Sequence, residues 1–535
     1  MKRIRSVLHL ILFLEAAKAL NLSDANVDPV SMQLFDYKEK HPTPALLTTS
    51  SGQPVHVSQM RVAGKNFLNN PFVFESIKHE AMSKRPDREV LAKATGAHGY
   101  FEVTSDVTMY TKAKVFEKVG KRTPVLARMA ISQIDVGASD LYPVTGKGLS
   151  FKMYTEEGNF DLLGLNIPVY FYKDPILFRD FLHSFRPNPK TNIRDPTSQL
   201  DFITRNPVSL QTMLWVFSEF GLPRGFRHMN AFPMHTFELY NNEGQSYFVK
   251  FSFITELGYK SFTLEESSAI AEYDPDLFMR DIYNSIENGN YPSWRLDMDV
   301  LSTSDLSKVN FDPFDVTRLW PNGTFTTVQV GRFVLNRNVD NHYAEVNQAA
   351  FNPTNLVPGI LEPPDELFRG RVIAYHDSQN NRLGINPNKI GVNCPFYART
   401  YNRKGTPPVL DDEGDAVSYP FNSFNGPVPY EDQSRPVRQL DIYQENTADL
   451  AGCKRFYNEV TATDEQKQRM IDNMANVSLR VEHSVIERFV ALLESVDEDL
   501  AARYVNTLDE LKQRVTLPQV VEDLDPVKLN PYRKY

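Results

Sequence analysis

The chain has few cysteines and lacks long apolar or basic runs. Only Cys394 and Cys453 occur in 535 residues, which is too few for a disulfide framework or a thiolate metal site. One disulfide between these two cysteines is the alternative, but we expect two separate buried thiols. After residue 19, no stretch reaches the ~18 to 20 apolar residues that a membrane span needs. The net charge is −9 and no basic run occurs, so we expect neither a membrane nor nucleic acid as a partner.

The first nineteen residues have the order of a secretory signal peptide. Three basic residues precede an apolar run over 7–14, and the small-x-small triplet Ala17-Lys18-Ala19 follows. We therefore expect a secreted protein, with an amphipathic N-terminal helix as the alternative. Acceptor sequons at Asn21, Asn322 and Asn476 are compatible with this route. The C-terminal residues PYRKY are no obvious peroxisomal signal.

Hydropathy patterns divide the rest of the chain. Residues 20–70 have no sustained period and predict an arm. Alternating segments over 71–325 predict antiparallel strands of a barrel or sandwich, interrupted by helices. The Pro-, Asn- and Gly-rich stretch 326–440 predicts a long loop, and 441–515 predicts a helical domain, followed by a tail over 516–535. The predicted strands include Gly99–Tyr110, Val125–Ile131, Thr236–Tyr240 and Ser246–Ile254, and the predicted helices include Leu177–Phe185 and Ser209–Phe220.

One polar segment, RVIAYHDSQNNRLG over 371–384, is compatible with a helix. Arg371, Tyr375 and Arg382 would share one face of it, because they lie four and then seven residues apart. A positive charge one turn from a tyrosine favours its phenolate, which is a ligand for ferric iron. The alternative is an exposed helix with solvated charges.

The chain from about residue 30 to 510 resembles the monofunctional haem-b catalases, the peroxide-dismutating family. The proximal signature of that family is similar to RVIAYHDSQNNRLG, although Ile373 stands where the family usually has Phe. Further blocks occur in family order: RHMNAFPMHTF (227–237), GNYPSW (289–294), PFDVTRLWPNG, RFVLNRN and EVNQAAFNP (between 313 and 353), and INPNKIGVNCPFYAR (385–399). The resemblance implies an α+β fold with an eight-stranded antiparallel β-barrel, an N-terminal arm, a wrapping loop and a C-terminal helical domain, assembled as a homotetramer.

The resemblance also implies a haem b site with Tyr375 as the axial iron ligand. His235 and Asp365 match the residues that hold the proximal arginine, here Arg371. Arg88, Arg128 and Arg382 match the arginines around the haem propionates and the ligand, where a buried anionic edge needs paired positive charge. Phe178 matches a packing aromatic of the distal side. For any one of these residues, a structural salt bridge or a core ring is the competing interpretation.

The distal side departs from the family pattern. Leu91 occupies the position of the catalytic histidine, and Leu165 occupies that of the catalytic asparagine. Ala130 stands where the family has the serine that assists the histidine, and Thr145 replaces an acidic residue of the channel. Neither leucine can transfer a proton or bind peroxide by a hydrogen bond, and loss of a general acid–base group costs ~10²- to 10⁴-fold in rate. The adjacent Asn166 is not expected to substitute, because neighbouring strand residues point to opposite faces.

The positions that would bind NADPH in some catalases have also lost their basic and imidazole groups. We expect no NADPH, because its phosphates need charge-assisted donors. The replacing residues are Gln211, Phe220, Ser252, Ile254 and Asn322, whereas Asn230 and Trp320 remain.

Three functions follow from these expectations. The first is a secreted haem protein with lost or strongly reduced dismutation of hydrogen peroxide, whose distal side takes a small hydroperoxide or an apolar ligand. The second is an active catalase with an atypical distal site that transfers protons through water. The third is a haem-free structural or interaction protein that keeps only the fold.

Overall fold

The computed structural model describes residues 28–60, 70–83, 86–132, 138–142, 145–406, 414–420, 422–436 and 449–514. The expected signal peptide over 1–19, the sequon at Asn21 and the expected tail over 516–535 lie outside the described residues. Within the described ranges, no helix is long and apolar enough to cross a membrane. The chain separates into two compact units, Met1–Asp87 with Arg280–Asn290, and Arg88–Met279 with Tyr291–Tyr535.

The smaller unit contains helices α1 (Pro29–Lys40) and α2 (Pro71–Met82). Helix α1 lies inside the stretch that the sequence predicts to be an arm. It begins with a proline, which suits the first helical position, and Asp28 caps it by accepting a hydrogen bond from the backbone of Val30 at 3.2 Å. Arg280 donates to the other carboxylate oxygen of Asp28 at 2.7 Å. Neither helix has a buried residue.

The larger unit is built on one curled antiparallel sheet. Its order is β4-β3-β2-β1-β8-β7-β6-β5-β9. Eight strands have at least four residues, in agreement with the expected eight, and the ninth is a two-residue edge strand. Strand β8 belongs to the sheet although the predicted barrel segment ends at residue 325. The strands are β1 (Ala94–Val103), β2 (Arg122–Ile131), β3 (Lys147–Thr155), β4 (Gly158–Leu165), β5 (Phe237–Tyr240), β6 (Ser246–Thr255), β7 (Ser293–Ser302), β8 (Thr326–Asn338) and β9 (Ile360–Leu361).

A short segment links two distant strands of this sheet. Leu165 of β4 exchanges both backbone hydrogen bonds with Phe232 at 3.1 and 2.7 Å, and the preceding Ala231 exchanges both with Phe253 of β6 at 2.9 and 2.7 Å. The last residue of the open edge of β4 is thereby paired, which protects this end of the strand edge. The end of β4 is fixed by these bonds, and Leu165 is its last residue.

The C-terminal helices form a second core. Helix α5 (Leu210–Phe217) is buried along its whole length, because it packs against the C-terminal helices. The remaining helices of this unit and its boundary are α3 (Leu177–Phe185), α4 (Pro196–Arg205), α5 (Leu210–Phe217), α6 (Leu264–Ala271), α7 (Leu277–Glu287), α8 (Glu366–Leu383), α9 (Ala451–Arg455), α10 (Asp464–Ser478), α11 (His483–Glu494) and α12 (Glu498–Arg514). The predicted helix Leu177–Phe185 is confirmed at both ends.

Two local predictions need correction. Strand β1 covers Ala94–Val103, not Gly99–Tyr110, because Asp106 accepts hydrogen bonds from the backbone and hydroxyl of Thr108 and ends the extended backbone in a turn. Both cysteines are free thiols, as expected, but only Cys453 is buried. Cys394, which directly follows a 3₁₀ turn over Gly391–Asn393, is exposed.

Candidate functional site

Helix α8 carries the predicted iron ligand. Asp365 caps its first turn by accepting a hydrogen bond from the backbone of Phe368 at 2.8 Å, and Gly384 with φ 87° ends it. Arg371 and Tyr375 lie one turn apart, with 3.5 Å between Nη2 and the phenol oxygen. The guanidinium carbon of Arg371 lies 5.5 Å from the centre of the Tyr375 ring. The helix and its shared arginine–tyrosine face agree with the sequence prediction.

A hydrogen-bonded chain holds this arginine from behind. Nη1 of Arg371 donates to Nε2 of His235 at 2.7 Å, and Nδ1 of His235 donates to Asp365 at 2.9 Å. This pattern requires a neutral imidazole, since Nε2 accepts. Burial lowers the pKa of His235, which favours that neutral form, although Asp365 opposes the shift. Burial alone would raise the pKa of Asp365, but the bonds from His235 and the helix backbone bring it below its ordinary value.

Arg88, Arg128 and Arg382 gather on the other side of Tyr375. Nη2 of Arg88 and Nη2 of Arg382 donate to the same carbonyl, that of Ala349, at 2.6 and 3.1 Å. Arg128 donates to the carbonyl of Leu91 at 2.8 Å, and its Nε has no partner among the described residues. Burial, followed by repulsion from Arg382, lowers the pKa of Arg128 to about 9. A group of three neighbouring guanidinium cations is complementary to an anion.

A π-helical turn supplies the carbonyl groups that position two of these arginines. It spans Tyr343–Asn347, and turns of this type are rare and occur often at functional sites. The carbonyl of Val346 accepts from Arg88 at 3.2 Å, and that of Asn347 accepts from Arg382. The arginine geometry therefore depends on the conformation of this turn.

The three distal positions meet around Gly148. Strand register pairs Ala130 of β2 with Gly148 of β3, and Gly148 with Leu165 of β4, so these residues share one face of the sheet. Leu91 lies over the same glycine: a Cβ atom on Gly148 would lie 3.4 Å from its Cδ2. Ala130 and Leu91 belong to one apolar cluster with Val346. The next row on this face is Arg128, Ser150 and Leu163.

Leu91 has an unusual backbone conformation. Its φ is 58°, in the left-handed region that a large L-residue rarely adopts. Strain of this kind is concentrated at functional sites, where the surrounding structure enforces it. Here the carbonyl of Leu91 accepts the hydrogen bond of Arg128, which ties the strained residue to the arginine group.

Asn166 does not reach the distal face. Its Oδ1 accepts from the backbone of Lys147 at 2.7 Å, and its Nδ2 donates to the carbonyl of Phe220 at 2.7 Å. The side chain is 3% exposed. Both ends of the amide are engaged away from Leu91, as the alternation of strand residues predicts.

These residues border one cavity of about 1150 Å³. Its walls include, from the predicted set, Arg88, Leu91, Arg128, Leu165, Phe178, Arg371 and Tyr375. The four others stand directly behind the wall: Ala130 packs with Leu91, Arg382 shares the Ala349 carbonyl, and His235 and Asp365 hold Arg371. All eleven predicted positions are therefore brought together.

Comparisons with known proteins agree with this geometry. A family model described as catalase matches residues 48–426. The chain is 39% identical over 459 residues to Catalase-2 of Caenorhabditis elegans, with 84% of this chain and 92% of that protein covered. It is 37% identical over 506 residues to catalase of Mus musculus, with 91% and 95% covered. This chain belongs to the catalase family.

Solved catalases have the same fold. The crystal structure of a fungal catalase matches with a TM-score of 0.81 at 29% identity, covering 87% of this chain and 97% of the other. Catalase A from Saccharomyces cerevisiae matches with a TM-score of 0.81 at 30% identity, covering 86% and 99%. The curled sheet and C-terminal helices are thus the catalase architecture.

Haem b is the cofactor consistent with this family, and the residues present fit it. The cavity has a phenol on one wall, backed by the Arg371–His235–Asp365 chain. The Nε of Arg128, which has no partner among the described residues, and the like charge of the neighbouring Arg382 are suited to an anionic propionate. Tyr375 would hold the iron and Arg371 would stabilise its phenolate. When bound, haem supplies the redox-active iron.

Three of the positions matched to NADPH contacts pack against other parts of the chain. Gln211 is buried, and Gly452 of α9 packs on it so closely that a Cβ atom there would lie 2.2 Å from its Oε1. The ring of Phe220 lies between Trp215 and Tyr259, with centroids 4.8 Å from each. Trp320 donates to the carbonyl of Pro313 at 2.9 Å. The absence of NADPH stays a prediction.

The sequence reasoning missed two residues of the distal wall, Gly148 and Ser150. Gly148 lacks the Cβ atom that would press on Leu91, so it leaves room for that side chain. Ser150 lies between Arg128 and Leu163 and lines the cavity with a hydroxyl group. Their period-two spacing on β3 was the available signal, but only the strand register shows which neighbours they face.

Proposed function

We propose that this protein binds haem b through Tyr375 and has lost, or strongly reduced, the dismutation of hydrogen peroxide. The observation that carries the proposal is the apolar distal row of Leu91, Ala130 and Leu165 around Gly148. The proximal side keeps its complete hydrogen-bonded chain. The protein therefore retains the groups that hold iron and lacks the groups that move protons over it.

The chain's residues determine what the site can do. Dismutation needs a group that takes a proton from one peroxide oxygen and returns it to the other. An alkyl side chain at 91 has no ionisable atom, and one at 165 has no amide to orient peroxide. Leucine at both positions keeps roughly the volume of the replaced groups, so the pocket is apolar and intact. It is suited to a small hydroperoxide or an apolar ligand.

An active enzyme that transfers protons through water is the second candidate. Ser150 favours it, because its hydroxyl lines the cavity one register row from the distal row and could hold a water molecule. We rank this candidate second, because a hydroxyl with an ordinary pKa is a poor general base at neutral pH. The relatives' names, all catalases, are equally compatible with both candidates.

The visible spectrum of the purified protein, recorded with oxygen release from hydrogen peroxide, tests the proposal. We expect a high-spin ferric tyrosinate spectrum with oxygen release at least ~10²-fold below that of mouse catalase per haem. Release within tenfold of mouse catalase would refute the proposal and support the water-mediated enzyme. A protein without a Soret band would support the third function, a haem-free interaction protein.

We also propose that the protein is secreted and forms a homotetramer. The signal-like order of residues 1–19 supports secretion. Assembly is supported by large apolar side chains that are exposed in the single chain, among them Leu34 at 70% in the smaller unit and Val428 at 81% in the larger. Light scattering after size exclusion measures the assembly, and a monomer would contradict it. The culture medium of an expressing cell line should contain the protein without residues 1–19.

A further inference from the structure

The cavity extends well beyond the haem-binding residues. Its volume of about 1150 Å³ exceeds the ~300–1,000 Å³ of ordinary ligand pockets. Haem would take the part bordered by Tyr375, Arg88 and Arg128. The other part, here called the lateral arm of the cavity, lies between α3, α5 and the end of α10.

Helix α3 turns its apolar face into this lateral arm. Phe178, Phe181, Leu182 and Phe185 lie at i, i+3, i+4 and i+7, which is one helical face, and all four line the cavity. The ring of Phe181 lies 4.8 Å from that of Phe185 and 4.4 Å from that of Phe171. An apolar helical face that borders empty space is suited to an apolar occupant, because water gains few hydrogen bonds there.

The opposite wall of the lateral arm is also apolar. Met213 and Val216 of α5 line it, and Val477 of α10 and Leu479 follow. Leu165 connects the two parts of the cavity, because it lines the cavity and packs against the C-terminal core. The lateral arm therefore leads along aromatic and aliphatic walls to the distal leucines.

Two arginines lie at its outer end. Arg480 is exposed at the end of α10 and Arg194 is half-buried before α4, and both line the cavity. A hydrogen bond of 3.2 Å from the backbone of Glu482 to the hydroxyl of Thr197 joins their two segments. The carboxylates nearest in sequence, Asp195 and Glu482, each cap a helix. The exposed guanidinium of Arg480 can pair with an anionic head group.

We propose that the lateral arm binds a long-chain carboxylic acid. Its carboxylate pairs with Arg480, and its hydrocarbon chain follows α3 toward Leu165 and Leu91. An arginine fork at the mouth of an apolar cavity is complementary to such a molecule at both ends. The inference deepens the proposed function by naming an apolar ligand for the distal side, and only its innermost end rests on that function.

Equilibrium dialysis of the haem-loaded full chain against oleate tests this inference. We expect one saturable site, with oleyl alcohol bound more weakly because it has no charge. Arg480→Gln should weaken oleate binding by about three- to tenfold, as expected for a partly exposed charge-assisted pair. Arg514→Gln is the matched control, because Arg514 is an exposed arginine of α12 that does not line the cavity, and it should leave binding unchanged.

A second variant tests the apolar walls. Val477→Trp places a large ring in the lateral arm and should abolish saturable oleate binding while leaving haem content unchanged. Equal affinity in wild type, Arg480→Gln and Val477→Trp would overturn the inference and assign any bound oleate to the surface. Oxygen release distinguishes the two proposals: rapid dismutation by a protein that binds oleate at this site would refute only the proposed function.

Discussion

Nη1 of Arg371 lies 2.7 Å from Nε2 of His235, which accepts its hydrogen bond. Because Nδ1 of the same ring donates to Asp365, the tautomer is fixed, and the arginine is held toward Tyr375. The proximal half of the catalase site is therefore complete in this chain. The distal half is built from aliphatic side chains, and the predictions below separate the two halves.

Replacement of the proposed iron ligand should weaken haem binding. Tyr375→Phe keeps the ring but removes the oxygen that would bind iron, so we expect haem retention to fall about tenfold or more. The Soret absorbance per protein after gel filtration measures this. Tyr397→Phe is the control, since Tyr397 is 78% exposed. Equal retention in both variants would show that Tyr375 is not the ligand.

Protonation of His235 should destabilise the protein below neutral pH. Its pKa is lowered in the folded chain, so its contribution to the free energy of unfolding is complete above the unfolded pKa of about 6.5 and is lost as the pH falls through the lower folded value. His235→Gln should reduce this pH dependence between pH 7.5 and 5, because an amide can donate to Asp365 and accept from Arg371 without titrating. Denaturant unfolding at several pH values measures it.

The exposed His376 provides the control for this pH experiment, because its side chain is 64% exposed. His376→Gln should leave the pH dependence of the free energy of unfolding as in wild type. If His235→Gln also leaves it unchanged, the neutral tautomer inferred from the hydrogen bonds is wrong.

The buried pair of Lys152 and Asp161 should be important for stability. Both side chains have 0% exposure, with Nζ 2.9 and 2.8 Å from the two carboxylate oxygens. Asp161→Ala leaves a buried cation without its partner, so we expect a loss of about 3–5 kcal/mol in the free energy of unfolding. Glu510→Ala, which removes the exposed partner of Arg514, should change it by about 1 kcal/mol or less. Similar losses in the two variants would contradict the assignment.

The left-handed backbone of Leu91 should reverse the usual order of stability of the alanine and glycine variants. Within a strand or helix, a protein with glycine is less stable than the same protein with alanine by about 0.5–1 kcal/mol. At φ 58° only glycine is unstrained, so Leu91→Gly should be more stable than Leu91→Ala by about 1 kcal/mol. At Leu163, in strand β4, alanine should be the more stable of the two. Denaturant unfolding of the four variants measures this, and the same order at both positions would refute strain at Leu91.

The sequence predicts some elements of this fold well for identifiable reasons. Helix α3 ends where expected, because Arg186 precedes a proline and is disfavoured in a helical conformation. Strand β8 was assigned to a loop region, because its neighbours are rich in Pro, Asn and Gly and its place in the sheet depends on pairing with β1 and β7. Pairing between distant segments is not encoded in local periodicity.

The candidate site also has one part that the sequence predicts and another part that it does not. The spacing of Arg371 and Tyr375 on one helical face could be predicted, because helical periodicity is local. Only the family resemblance could indicate that Leu91, Ala130 and Leu165 meet around Gly148. Their meeting depends on the register of three strands and on the positive φ of Leu91. The lateral arm could not be predicted, because a cavity depends on where helices fail to fill space.

The most direct test of the distal assignment is the oxygen release per haem of the variant that combines Leu91→His and Leu165→Asn. These changes return an ionisable group and an amide to the row around Gly148, while the chain behind Tyr375 is untouched. We predict that release from hydrogen peroxide increases by about 10²-fold or more over the haem-loaded wild type. A variant that binds haem fully and releases oxygen no faster than wild type would contradict the claim that the distal leucines cause the loss of activity.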